Sequence, residues 1–435
     1  MSSLSRSARL AARLRSRRLA TGVMFFTNGA FLGTWVAHIP EVQLALSIGE
    51  GALGTALLLV PLGSFAMMPV GAWLIRTWGS RTATVCGFLA MTAGLALVVQ
   101  ANVYVALLPA VAVLGIGNGL MDVGMNAQGV IVERSRAKPI MSSLHGLFSV
   151  GNVAGAVAAG SLLEAGVRPQ LNGPLVAAVL FAGTVPFILR LVPGLSGRQI
   201  AGEVGGQVQG GIRSTGAAET SVGSTAAKNE APAATQSAPG GETSSGTPDS
   251  EPSGTMLVLI VLSAVAFANL IGEGSMNDWT AVYIRSVLGG SALLASSGYS
   301  AFAFAMAVGR FSGDRVIAAI GRRWVLGGGL ALSGIGLILA TTANGIVPAL
   351  VGFGLVGLGL ANGIPIAFGA GGRLRGFREG SGMAVVMGAA YAGGLVTPPA
   401  VGFIAEAVGL RLTFVGVGII LLIAALGSRK LSNGE

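Results

Sequence analysis

Gly309-Arg310-Phe311-Ser312-Gly313-Asp314-Arg315, followed by Gly321-Arg322-Arg323, lies between two long apolar runs. A weaker copy, Gly71-Ala72-Trp73-Leu74-Ile75-Arg76-Thr77-Trp78-Gly79-Ser80-Arg81, occupies the matching place in the first half. Glycine in such a position lets two membrane helices approach closely. The charges that follow predict a turn at the membrane surface.

Working outward, the chain is 52% hydrophobic and 10% charged, with 70 glycines among its 435 residues. That balance excludes a soluble globular fold of this length and requires membrane spans. The net charge of +10 does not point to a nucleic-acid partner, because the basic residues fall in the turns between apolar runs. Cys86 is the only cysteine, so intrachain disulfides, thiolate clusters and redox pairs are excluded. Two histidines and one cysteine make no transition-metal site, and no metal or cofactor is expected.

A span needs about 20 apolar residues. Twelve runs qualify: 19–40, 50–75, 82–101, 104–130, 140–164, 172–192, 255–283, 291–313, 323–343, 345–370, 381–405 and 410–428. The expected fold is an all-α integral membrane protein of twelve helices in two pseudo-symmetric six-helix bundles, 19–192 and 255–428. Residues 1–18 form a basic tail, 193–254 a disordered linker and 429–435 a second tail. The linker is rich in Gly, Ser, Thr, Ala and Pro and lacks aromatics, so it buries too little apolar surface to fold.

With the N-terminus inside, the inward loops hold Arg76, Arg81, Arg134, Arg136, Lys138, Arg190, Arg198, Arg213, Lys228, Arg315, Arg322, Arg323, Arg373, Arg375, Arg378, Arg429 and Lys430. The outward loops hold only Arg168, Arg285 and Arg411. This asymmetry predicts a multi-pass protein of the cytoplasmic (inner) membrane with both termini cytoplasmic. The halves also echo each other. The run from Gly160 to Arg168 (GSLLEAGVR) matches that from Gly402 to Arg411 (GFIAEAVGLR), 242 positions on. Asn118 and Asn362 are 244 apart and Gly71 and Gly309 are 238 apart, in the same order.

Ionisable groups inside a span cost at least about 2.5 kcal/mol and mark candidate functional sites. The fourth span carries Asn118, Asp122 and Asn126, and the seventh Asn269, Glu273 and Asn277, each set at i, i+4, i+8. Such spacing keeps a set on roughly one helix face. Both stripes are expected on a shared central cavity, with Asp122 and Glu273 coupling proton movement and the asparagines binding a polar solute. Interhelical packing bonds are the alternative for every member.

The fifth span adds Ser142, His145, Ser149 and Asn152 on one face. His145 either relays a proton in partnership with Asp122 or is a solvated structural residue. In the first span Asn28, Trp35 and His38 are candidates; Trp35 either stacks on a sugar ring or belongs to an interfacial belt. Tyr299, Asn362 and Tyr391 are lesser binding candidates. Asp278 and Trp279 read as an outer gate or belt. No phosphate loop, zinc-protease motif or nucleophile elbow is present, which argues against ATP as the energy source and against an enzyme.

The two loop motifs and the twelve spans resemble the major facilitator superfamily (MFS), in which this motif joins helices 2 and 3 and, repeated, helices 8 and 9. The resemblance implies a cytoplasmic gate at Gly71, Arg76, Gly79 and Arg81 and at Gly309, Gly313, Asp314, Arg315, Arg322 and Arg323. Ile75 stands where the family usually carries an acid. Three segments look closer to one branch, the YbjJ-like permeases: Gly33 to Pro40; Asp122 to Gln128 with Met141 to Ser149; and Glu273 to Trp279. That branch is related to fucose-permease-like transporters, which implies a small hydrophilic solute moved by proton symport, by a monomer in the bilayer. A proton-driven exporter of amphiphilic compounds is the alternative, although Gly151 to Gly160 lacks the proline that drug antiporters carry in the fifth helix. A non-transporting membrane sensor is a further one, but the linker offers no folded output domain.

Overall fold

The structure is a computed structural model and describes residues 3–134, 140–193, 252–374 and 380–431. Among these residues twelve helices are long and apolar enough to cross a membrane. They are α1 (Ser3–Leu46), α2 (Glu50–Trp78), α3 (Ser80–Val98), α4 (Tyr104–Arg134), α5 (Met141–Glu164), α6 (Pro169–Ile188), α7 (Pro252–Val282), α8 (Ala292–Ile320), α9 (Arg322–Thr342), α10 (Ile346–Gly371), α11 (Ser381–Val408) and α12 (Leu410–Gly427). Helices satisfy every backbone group internally, which lipid demands. Below, the near end is where α1 starts and the far end is where it finishes.

Two spans are broken, and proline explains both. α2 consists of Glu50–Leu57 and Leu59–Trp78. Pro61 has no N–H for the Leu57 carbonyl, so the ladder fails there. α10 consists of Ile346–Leu360 and Gly363–Gly371. Pro365 likewise leaves the Ala361 carbonyl without its helical donor. α7 ends in a π-helical turn, Tyr283–Val287.

Several expectations change. The basic stretch at 1–18 is helical from Ser3, continuous with α1, whose membrane-capable part begins at Arg15. The segment from Gly309 to Arg315 does not form the turn: it lies within α8, which continues to Ile320. The chain reverses only at Gly321, with φ +86°, and in the first half at Gly79, with φ +87°. Left-handed backbone of this kind favours glycine. The 193–254 linker falls outside the described residues except at 193 and 252–254, as do Arg136, Lys138, Arg375, Arg378 and the side chain of Ser142.

The helices pair in the same way in both halves. α1 packs on α5, α3 on α4 and α2 on α4; correspondingly α7 packs on α11, α9 on α10 and α8 on α10. The halves meet where α5 packs on α8 and α2 on α11. Glycine sets these distances. Gly29 and Gly33 of α1 lie against the backbone of Phe148 and Asn152, while Gly151 and Gly155 of α5 lie against that of Phe26 and Ala30. A Cβ at any of the four would overlap the opposing backbone. This close seam fixes the register of Trp35 against Ser149 and Asn152.

Candidate solute cavity

A cavity of about 390 Å³ lies between the halves. From the first half Trp35, Asn118, Asp122, Ser149 and Asn152 face it; from the second, Glu273, Asn277, Asp278, Tyr299 and Arg310. The rest of the wall is largely apolar, including Phe65, Met68, Phe148, Phe302 and Met306. Three carboxylates thus share the space with one guanidinium.

The polar groups are held differently. Asn118 donates to Ser64 Oγ at 3.0 Å, and Ser64 Oγ in turn donates to the Gly115 carbonyl at 3.0 Å. Asn126 donates to the Asp122 carboxylate at 3.0 Å and to the Asp122 carbonyl at 2.9 Å. Asn126 therefore orients Asp122 and does not itself line the cavity. Glu273 pairs with Arg310 across α7 and α8 at 3.6 Å, with side-chain exposures of 23% and 40%. That spacing is a loose ion pair rather than a tight hydrogen bond. Asn152 is 5% exposed, and its Oδ1 has no partner among the described residues.

Five further predicted residues stand outside the cavity lining. Asn28 is buried and donates to Met125 Sδ at 3.7 Å. Asn269 donates to the Leu360 carbonyl at 3.4 Å, at the break in α10. Asn362 donates to the Gly309 carbonyl at 3.0 Å and lies against Gly313, so those motif glycines seat the α10 break on α8. Tyr391 stacks obliquely on Phe65 with ring centres 4.8 Å apart. His145 packs edge-on against Phe25 at 5.2 Å; the hydrogen-bond partner of Asp122 is Asn126, not His145.

Two alternatives fall. Trp35 is 3% exposed and faces the cavity, so it is no belt residue. Trp279 is fully buried, and Asp278 faces the cavity rather than an outer solvated gate. Sequence reasoning missed Arg310 by taking it as part of a surface turn. Its signal was position: it stands ten residues before the end of α8, about 15 Å along the axis.

Arg76, Asp314, Arg315 and Arg322 are exposed and make no ion pair among the described residues. Arg323 donates to the Arg429 carbonyl at 2.7 Å. Three polar contacts between the halves lie together at the far end: Arg285 with Glu41 at 3.0 Å, the Gly51 N–H with Glu406 at 3.1 Å, and the Leu293 N–H with Glu164 at 3.4 Å. These contacts join the two halves beyond the cavity on that side.

Comparison with known proteins agrees with this architecture. The family model of the Major Facilitator Superfamily matches residues 261–432. An uncharacterized MFS-type transporter of Yersinia pestis is 31% identical over 418 residues, covering 96% of each chain. Membrane protein MosC of Rhizobium meliloti is 28% identical, covering 96% of this chain and 91% of its own. Among solved structures, the nucleoside transporter NupG superposes with a TM-score of 0.67 at 11% identity, covering 94% of this chain and 98% of its own. A POT family transporter in complex with 5-aminolevulinic acid gives a TM-score of 0.61 at 14% identity, covering 93% and 94%. With a relative above 30% identity matched end to end, the chain belongs to the major facilitator superfamily of membrane transporters.

Proposed function

We propose that the protein is a secondary active transporter that carries a small polar, sugar-like solute across the cytoplasmic membrane by proton symport. The observation that supports this best is the central cavity, because it brings Asp122 from one half and Glu273 from the other to one space, between halves that polar contacts join at the far end. Rocking of two related halves about such a site opens it to each side in turn. Asp122 and Glu273 take up and release the coupled protons. Arg310 holds Glu273 until solute or proton displaces it. Asn118, Ser149, Asn152 and Asn277 bind solute hydroxyls, and Trp35 offers an apolar ring face to a sugar. Both termini lie in the cytoplasm, the near end faces inward, and the protein acts as a monomer without a cofactor.

The apolar remainder of the wall, Phe65, Met68, Phe148, Phe302 and Met306, supports a second reading as an exporter of amphiphilic compounds. Thermal stability of the purified protein against sugars, sugar acids, amino acids and amphiphilic drugs separates the two. A ligand that binds only the folded state stabilises it, by about 2.7 kcal/mol at a hundred times its dissociation constant. The import reading expects a rise with a polar solute. Rises with amphiphiles alone would overturn it in favour of export.

A further inference from the structure

The repeat that marks the two halves contains a glutamate in each copy, Glu164 and Glu406, 242 positions apart. In the structure each reaches across to the other half. Glu406 of α11 accepts the Gly51 N–H at 3.1 Å, and Glu164 of α5 accepts the Leu293 N–H at 3.4 Å. Gly51 and Leu293 are themselves 242 positions apart, so the two contacts are the same contact made twice. Both donors lie in the first turn of a helix, α2 from Glu50 and α8 from Ala292. First-turn N–H groups have no intrahelical partner and carry the positive end of the helix dipole.

The approach is built in. Four residues before each glutamate stands a glycine. A Cβ at Gly402 would meet the Glu50 carbonyl, and one at Gly160 would meet Ser296 and the Ala292 carbonyl. Gly51 also lies directly under the Glu406 carboxylate, so the donor helix leaves it room. The third contact at this end, Glu41 with Arg285, is not duplicated: the positions 242 away are Tyr283 and Gln43.

We propose that Glu164 and Glu406 form a reciprocal latch, each capping the opposite half's helix N-terminus to hold the far side shut. The proposal rests on alternating access as set out above, and opening toward the far side requires both caps to release. The two are unequal. The residue that caps the start of α2 is Gly49, which has no side chain to accept a hydrogen bond. The start of α8 is capped by Ser291, whose hydroxyl already accepts from the Leu294 N–H at 3.4 Å. Glu406 therefore carries the larger share of the latch.

The test places spin labels at Asn102→Cys and Asn344→Cys on a Cys86→Ser background. Both asparagines are exposed at the far end, between α3 and α4 and between α9 and α10, and neither makes a latch contact. Distance distributions are then compared for the parent, Glu164→Gln, Glu406→Gln and the double variant. Glutamine keeps the size and the acceptor but removes the charge. The latch predicts a rise in the ratio of open to closed far-side distances of about two- to fivefold for Glu406→Gln. A smaller rise is expected for Glu164→Gln, and the largest for the pair. Unchanged distances with solute uptake intact would overturn the latch alone. Unchanged distances in a protein whose parent moves no solute either would overturn the transport reading with it.

Discussion

The polar stripes of α4 and α7 share one spacing but not one fate. On α4, Asn118 and Asp122 face the cavity while Asn126 turns away to hold Asp122. On α7, Glu273 and Asn277 face it while Asn269 turns away to the break in α10. In both, the member that leaves is the one nearest the near end. Helix geometry accounts for this: four residues advance the side chain by about 40° beyond a full turn, so i to i+8 sweeps about 80°. A narrow cavity accepts two such positions and the third must find another partner. The stripes also differ in how their carboxylates are held. Asp122 is fixed by its own helix, whereas Glu273 is held across helices by Arg310.

That difference can be broken from the largest effect downward. Arg310→Ala leaves Glu273 without its partner in the cavity and is expected to lower solute uptake at least tenfold. Because the pair is partly exposed, folding stability should fall by only about 1 kcal/mol or less. Uptake close to parental would mean that the second half's wall is not the site. Asn126→Ala removes one hydrogen bond to Asp122, a contribution of about 0.5–1.5 kcal/mol. It should lower uptake by about two- to tenfold and move its pH dependence, which a purely structural asparagine would not do. Asn28→Leu should leave uptake within about twofold. Among the described residues the Asn28 amide donates only to a sulfur and its Oδ1 has no partner, so its loss costs little. A large transport defect in Asn28→Leu would return that residue to the site.

Much of the fold was legible because a bilayer constrains sequence so strongly. Twelve apolar runs appear in the structure as twelve spans, most within a few residues of their expected ends. The breaks at Leu58 and Asn362 were not legible, because proline in a span is tolerated in many contexts and only packing decides whether the helix parts. In the site, the existence of two stripes could be read, but which members face inward could not, since rotation about each helix axis is set by the glycine seams. Arg310 was hidden inside a motif that predicts a surface turn. Glu164 and Glu406 were visible only as evidence of duplication; their contact partners belong to the other half, beyond any local pattern.

The central claim is that Asp122 and Glu273 couple solute movement to protons. It is tested most directly in proteoliposomes, by comparing uphill uptake under an imposed pH gradient with solute exchange at equal pH. The account predicts that Asp122→Asn and Glu273→Gln each abolish uphill accumulation while exchange is partly retained. Uphill accumulation that persists in both variants would contradict it.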